Sequence, residues 1–509
     1  MNVWSLVSPH ALTRSTRRGE PGTVRPAALG SALVAAPLLA VGLIVAVALP
    51  ARALPARALP AAAASLATGD ARSVSQPSIP ASCATVTASL ATSNRQFSSS
   101  AEASPPDTSR IQSALNSCVG SGKAVVLAAS GSSNAFLSGP LTVGGSEVLV
   151  INSGVTLYAS RNAANYQVSG KPTCGTVASS SGGCKPFITV NGANAAIMGT
   201  QGSAGQGLID GRGDLDLVGQ SVTWWDLATT AKNNGGSQNN PRLIQSNNVN
   251  NFTVYDLSLT NSPNFHLVFS GGNGFTVWGL RIKTPANARN TDGIDPSGTN
   301  VTINNSYIQD GDDGVAVKAG STAAQNMTIE NSHFYGTHGI SIGSETNAGV
   351  SNILFKNDTL SGTDSSGITS TSDNGMRIKS YSSVGGLVST VTYEGICLTG
   401  VKALLDIDPF YSSGNGSHIP DYTNIVVDGA KAVSSSSSAK SVLEGYSTSV
   451  PLGLTLENVN FDKTATTAEN ASIATFNTNL SPSGTNVTVS AISGSGSVPS
   501  CSFPAFPGL

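Results

Sequence analysis

The sequence predicts an all-β repeat fold, a parallel β-helix with a short N-terminal capping helix. Three observations point there. Charged residues make up only 11% of 509, while glycine alone contributes 55; globular domains usually hold about a quarter charged residues. Short apolar runs recur behind Asn or Gly turn-formers, which is the signature of strands. After one early amphipathic segment, no second long helical pattern is evident.

The N-terminus comes first. Arg14, Arg17, Arg18 and Arg25 precede an apolar run from Ala27 to Leu49, and Ala-Arg-Ala-Leu-Pro then occurs at Ala51 and again at Ala56. Each copy offers a small-residue cleavage pattern, ending at Ala53 or Ala58. Residues 1–64 are therefore expected to be an export segment, and the protein to be secreted. The run is also long enough for a retained anchor, which needs ~20 residues. Residues 65–104 read as a Ser/Ala/Thr-rich linker followed by a first strand. A helix is expected from Asp107, with Ser109 and Gln112 at capping-box spacing and Ile111 and Leu115 on one face. Residues 105–509 are assigned to the β-helix domain.

All six cysteines follow the export segment. An even count in an exported chain reads as disulfides. Cys174–Cys184 would close a Gly/Ser loop, while Cys83–Cys118 and Cys397–Cys501 would tie down the two ends.

Strand starts at Phe252, Phe275, Val301, Met327, Ile353, Val391, Ile425 and Leu454 are separated by 23, 26, 26, 26, 38, 34 and 29 residues. Repeats of this length without helices suit a β-helix, whose rungs stack parallel sheets. Asn251, Asn300, Asn326, Asn352 and Asn424 precede starts, so their amides are expected to pair from rung to rung.

A second strand set aligns Asp292-Gly-Ile-Asp-Pro-Ser297, Asp313-Gly-Val-Ala-Val-Lys318, His338-Gly-Ile-Ser-Ile-Gly343 and Asn374-Gly-Met-Arg-Ile-Lys379. The third and fifth positions are apolar and should face the core. By alternation, Arg377, Lys379 and Lys318 should point outward, beside a column of Asp292, Asp313 and His338 on rungs ~4.8 Å apart. Carboxylates this close raise one another's pKa, so one can hold a proton while others activate water. Arg377 and Lys379 could clamp a sugar carboxylate. Lys318 is either a third contact of this kind or a solvated strand lysine. His266 is placed one rung before Asp292 in the same column, as a subsite residue or a packed histidine. Asp295 and Asp210 read as structural.

Asn290-Thr291-Asp292, Gly311-Asp312-Asp313, His338-Gly339 and Arg377-Ile378-Lys379 resemble the four signature motifs of the polygalacturonases, glycoside hydrolase family 28, bacterial branch. The resemblance implies a right-handed β-helix and inverting hydrolysis of α-1,4-galacturonosyl bonds, with no cofactor or metal. It makes Asp312 the general acid, and Asp292 and Asp313 the holders of the attacking water. His338 would tune the acid, and Arg377, Lys379, Asn290 and, more loosely, Tyr411 would bind substrate. Gly314 and Thr337 depart from the family pattern. Carboxylates one rung apart would by separation alone suggest retention; the resemblance implies inversion.

The expected partner is pectin, cut internally by a monomer. With a net charge of −2, no global attraction to nucleic acid or anionic membrane is expected. Exo-cleavage or a rhamnogalacturonan substrate would use the same strip. A calcium-dependent pectate lyase has no role for the histidine or the proton-sharing aspartates; a non-enzymatic binding β-helix is the second rival, and it predicts that Asp312→Asn leaves polymer binding intact.

Overall fold

The computed structural model describes residues 65–509, so the expected export segment lies outside the described residues. The chain winds as a parallel β-helix with three stacked sheets. In the first, the eight anticipated strand starts share one register: Phe252, Phe275, Val301, Met327, Ile353, Val391, Ile425 and Leu454 pair in succession. A second sheet stacks Leu257–Thr260, Arg281–Lys283, Tyr307–Gln309, His333–Tyr335 and Thr359–Ser361. The third carries Ile244–Asn247, Leu267–Ser270, Ile294–Pro296, Val315–Val317, Ile340–Ile342, Asn374–Lys379 and Ala403–Asp408. It holds the candidate site.

Alternation explains the core. Ile294, Val315, Ile340 and Met376 are fully buried one above the other, as are Phe252, Phe275 and Val301. Phe252 and Phe275 stack at 5.3 Å, and Phe355 and Tyr393 at 4.8 Å. Parallel register forces like residues into such ladders, because each rung repeats the geometry of the last.

The Asn turns behave as the pattern demands. Asn251, Asn300, Asn326, Asn352 and Asn424 all adopt positive φ, a region that Asn enters more readily than most residues. The amide of Asn352 donates to Asn326 at 2.8 Å, and that of Asn300 to Asn273 at 2.8 Å.

Both ends of the described chain double back along the solenoid. Residues 65–76, expected as a linker, lie across the first sheet instead. The backbone N–H groups of Ser65, Ala67, Thr68 and Asp70 donate to the side chains of Asn424, Thr392, Asn352 and Thr328 at 3.1, 2.8, 2.7 and 2.9 Å. The ladder side chains thus supply the acceptors that a strap crossing the strands cannot take from sheet backbone. The C-terminal tail returns over the second sheet, where Pro504 O accepts from the Tyr335 hydroxyl and Gly508 O from Arg281. Three disulfides have the anticipated pairing, Cys83–Cys118, Cys174–Cys184 and Cys397–Cys501.

Helix α1 spans Ser99–Ala103 and α2 spans Thr108–Cys118, burying Ile111, Leu115 and Cys118 against the first rungs. The capping box expected at Ser109 and Gln112 does not form. Gln112 reaches across to both backbone groups of Thr142, and Asp107 accepts from the Leu137 N–H. A further helix, α3 (Trp224–Asn234), corrects the expectation of no second long helix. It has a complete capping box, Thr223 with Asp226, and ends at Gly235 in the left-handed conformation. Trp224 is fully buried, and the half-buried Trp225 donates to Ser262 O at 2.9 Å.

Candidate active site

The aligned motifs meet on the third sheet. Val315, Ile340 and Met376 pair in order, which brings Ala316, Ser341 and Arg377 into one outward column. Loops bury this strip: Asp292 and Asp313 are 3% and 2% exposed, and Lys379 5%. The over-long spacings near residues 353–425 are where such loops are inserted, one of them carrying Tyr411.

Two glycines set the turns that present the acids. Any side chain at Gly311 would meet the Ala288 carbonyl oxygen at 2.0 Å. Gly339, at φ +99°, lies against the backbone of Gly375, where a Cβ would come within 2.3 Å. Only glycine allows this approach and this conformation. The two departures from the family pattern are neighbours. A Cβ at Gly314 would meet Phe334 at 2.5 Å and the Thr337 methyl at 3.2 Å, so the larger residue at 337 fills space that the smaller one at 314 leaves.

Asp312 and His338 form a pair, with Nδ1 and Oδ1 3.0 Å apart. The other Asp312 oxygen accepts from Asn290 Nδ2 at 3.1 Å, and Asn290 in turn accepts from Gln238 at 3.3 Å. The Asp312 backbone N–H donates to Asp310, a fully buried carboxyl under the turn. Asp313 accepts from Ser341 at 2.8 Å and from the Lys379 ammonium at 2.7 Å. Arg377 donates to Asp406 at 3.1 Å, and both Arg377 and Lys379 sit over the Tyr411 ring at 5.1 and 4.9 Å. Lys318 lies 3.0 Å from Asp295 and 3.7 Å from Asp292. Asp295 therefore belongs to the cleft, not to a structural turn.

His266 falls one place out of the expected column. Leu267 pairs with Ile294, so Phe265 stands level with Asp292. The His266 ring is fully buried against Thr291 O and Thr284 Oγ1 at 3.0 and 2.8 Å, a packed histidine. Burial lowers its pKa to about 4, which keeps it neutral.

The acids are electrostatically unequal. Burial first, then the charges of Asp312 and Asp295, push Asp292 well above the carboxylate range, against the pull of Lys318. Burial also pushes Asp312 upward, but His338 together with Lys379 and Arg289 outweighs it and holds that carboxyl low. The surroundings therefore favour the protonated form at Asp292 and the ionised form at Asp312. Asp312, Asp313 and His338 could by distance hold a small cation, their ligand atoms lying within 4.8 Å of one another. Both Asp313 oxygens already accept side-chain hydrogen bonds, Oδ2 from the Lys379 ammonium and Oδ1 from Ser341.

Gln238, Asp310 and Asp406 complete the site and were not among the sequence candidates. Gln238 comes from the excursion that carries α3, whose Thr-x-x-Asp cap and Gly stop were visible signals. Asp406 lies one rung beyond Arg377, where extending the same alignment would have found it.

The model for glycosyl hydrolases family 28 matches residues 138–482. An endo-polygalacturonase of Pectobacterium carotovorum subsp. carotovorum is 42% identical over 406 residues, 79% of this chain and 92% of that one. A polygalacturonase of Ralstonia solanacearum is 41% identical over 437 residues, 77% and 80% of the two chains. Among solved structures, the polygalacturonase from Erwinia carotovora ssp. carotovora matches with a TM-score of 0.67 and 39% identity, covering 83% of this chain and all of that one.

Proposed function

The chain belongs to glycosyl hydrolase family 28, and from that premise we propose that it is a secreted, monomeric polygalacturonase. It cuts α-1,4-galacturonosyl bonds within pectin by inverting hydrolysis. The observation that carries this reading is the Asp312–His338 pair beside Asp313, with Arg377 and Lys379 together on the rung after His338, over one tyrosine ring. The three disulfides, with no free cysteine among the described residues, fit an oxidising compartment. Among the described residues no helix is long and apolar enough to cross a membrane.

The proton distribution suggests how the acids share the work. A galacturonate carboxylate held by Arg377 and Lys379 offsets cationic charge that keeps Asp312 ionised, so Asp312 gains affinity for a proton. Once Asp312 is neutral, the charge that pushes Asp292 up is gone, and Asp292 releases its proton. Water held by Asp292 and Asp313 then attacks the anomeric carbon. The glycosidic C–O bond breaks, the leaving oxygen takes the proton from Asp312, and the attacking water gives its own to Asp292. The reaction consumes one water and returns the protein to its starting protonation, Asp292 protonated and Asp312 ionised. Donation and removal of this kind typically contribute 10²–10⁴-fold each.

Incubation with polygalacturonate, following viscosity, reducing ends and the anomeric configuration of the first product, tests the reading. A fast viscosity drop with inverted product is expected. Absorbance from an unsaturated uronide, or loss of activity with a chelator, would point to a lyase and overturn it. Monosaccharide release without a viscosity drop would mean exo-action.

A further inference from the structure

The column that holds Asp292 continues in the opposite direction from the Arg377–Lys379 clamp. Ile244, Leu267 and Ile294 pair in succession, so Arg242, Phe265 and Asp292, each two residues earlier, stand level on three consecutive rungs. Backbone bonds extend the ladder through these positions, from Leu243 N to Phe265 O at 3.0 Å and from His266 N to Asp292 O at 2.8 Å. Arg242 thus lies two rungs, ~10 Å, before Asp292, as Arg377 lies two rungs after Asp313.

Arg242 and Lys318 flank the Phe265 ring, at 5.1 and 4.6 Å from its centroid. Together with Asp295, Ser297 and Glu345 they line one pocket of the cleft. Lys318 is engaged by Asp295. Arg242 is not engaged in that way: it donates to the Gln245 amide oxygen at 3.0 Å, and among the described residues it makes no ion pair. A guanidinium propped on an aromatic face, within the field of Asp295 and Glu345 but in direct ion pair with neither, keeps its fork open for a planar bidentate acceptor. Asp295 and Glu345 each bury a carboxylate oxygen that has no hydrogen-bond partner, and buried polar atoms are normally satisfied. Those oxygens suit hydroxyl donors, not a second anion.

We infer that Arg242, set on Phe265, is a second carboxylate-binding subsite, with Asp295 and Glu345 accepting from hydroxyls of the same sugar unit. This rests on the polygalacturonase reading and names the ligand of the cleft's far arm as a uronate unit of the same chain, on the opposite side of the acids from the clamp. Cations at both ends, about five rungs apart, favour long chains bound across the acids.

Arg242→Gln tests this on oligogalacturonides of defined length. Because a charge-assisted contact contributes roughly 1.5–3 kcal/mol, kcat/KM on the hexamer should fall about 10- to 100-fold. The trimer, too short to reach both cations, should be cut as before. Arg242→Lys should recover part of the loss on the hexamer. Equal loss at every length, or none, would overturn the subsite. Calorimetric binding of the hexamer gives a readout independent of turnover, and there too Arg242→Gln should weaken only the long ligand. If the unaltered protein cuts no oligomer yet still binds the hexamer through Arg242, the hydrolase reading fails and the subsite stands.

Discussion

The Lys379 ammonium donates to Asp313 at 2.7 Å while resting 4.9 Å from the centre of the Tyr411 ring. One cation therefore serves two proposed tasks, holding a sugar carboxylate and fixing the position of a water-holding aspartate. Lys379→Met should raise KM and lower kcat together. Arg377→Met should act more on KM, because Arg377 hydrogen-bonds Asp406 at 3.1 Å and stands 3.8 Å from Asp313. Steady-state kinetics on polygalacturonate separates the two. Equal effects of both variants on kcat would contradict the division.

Asp312→Asn should cost at least about 10³ in kcat, because the amide cannot deliver the proton. Binding of the polymer should persist, since Asp312 touches His338 and Asn290 and not the cation clamp. Calorimetry of the variant with polygalacturonate checks the second half. A binding-only protein would keep every measurable property in this variant.

Lys318→Met shifts the pH profile. Lys318 pulls the Asp292 pKa down, so removing the cation lets that pKa rise. Both the proton that must be present on the acids and the one that must be absent are then held more tightly. The two limbs of kcat/KM against pH should move to higher pH. A shift to lower pH would show that Lys318 acts through a different group.

Asn352 joins the ladder to the N-terminal strap. Its side chain accepts from Thr68 and Gly69 at 2.7 and 3.1 Å and donates to Asn326 at 2.8 Å, at φ +58°. Asn352→Ala loses these bonds and places a Cβ-bearing, uncapped residue in the left-handed region, a loss of about 3 kcal/mol. Asn352→Gly should lose less, because glycine accepts the backbone. The melting temperature and the rate of proteolysis within residues 65–76 report the difference. Cleavage there at an unchanged rate would mean that the strap is held elsewhere.

Much of the architecture was legible because a parallel solenoid repeats itself. Phe252 to Leu454 stack because each rung's register is inherited from the last, and the same copying brings Asp292, Asp313 and His338 together from motifs 21 and 25 residues apart. His266 shows the limit: it lies in a loop approach whose length does not repeat, and counting back placed it one residue off. The strap at residues 65–76 and helix α3 escaped for related reasons. The strap carries no periodicity, and its bonds reach partners 179 to 359 residues away.

The sequence by itself determined the fold class, the column of acids and the cations beside them, because strand alternation and rung repeat convert spacing directly into position. What only the tertiary structure decided is how differently the two acids are surrounded, which favours protonation at Asp292 over Asp312. Asp292 and Asp312 are equivalent as letters. The difference comes from depth of burial and from the charges each one faces: His338 at 3.0 Å from Asp312, and Lys318 only at 3.7 Å from Asp292. Those are through-space distances set by loops that do not repeat. Arg242, two rungs away in the same column, became visible only when its seat on Phe265 and the pocket it shares with Asp295 and Glu345 could be seen.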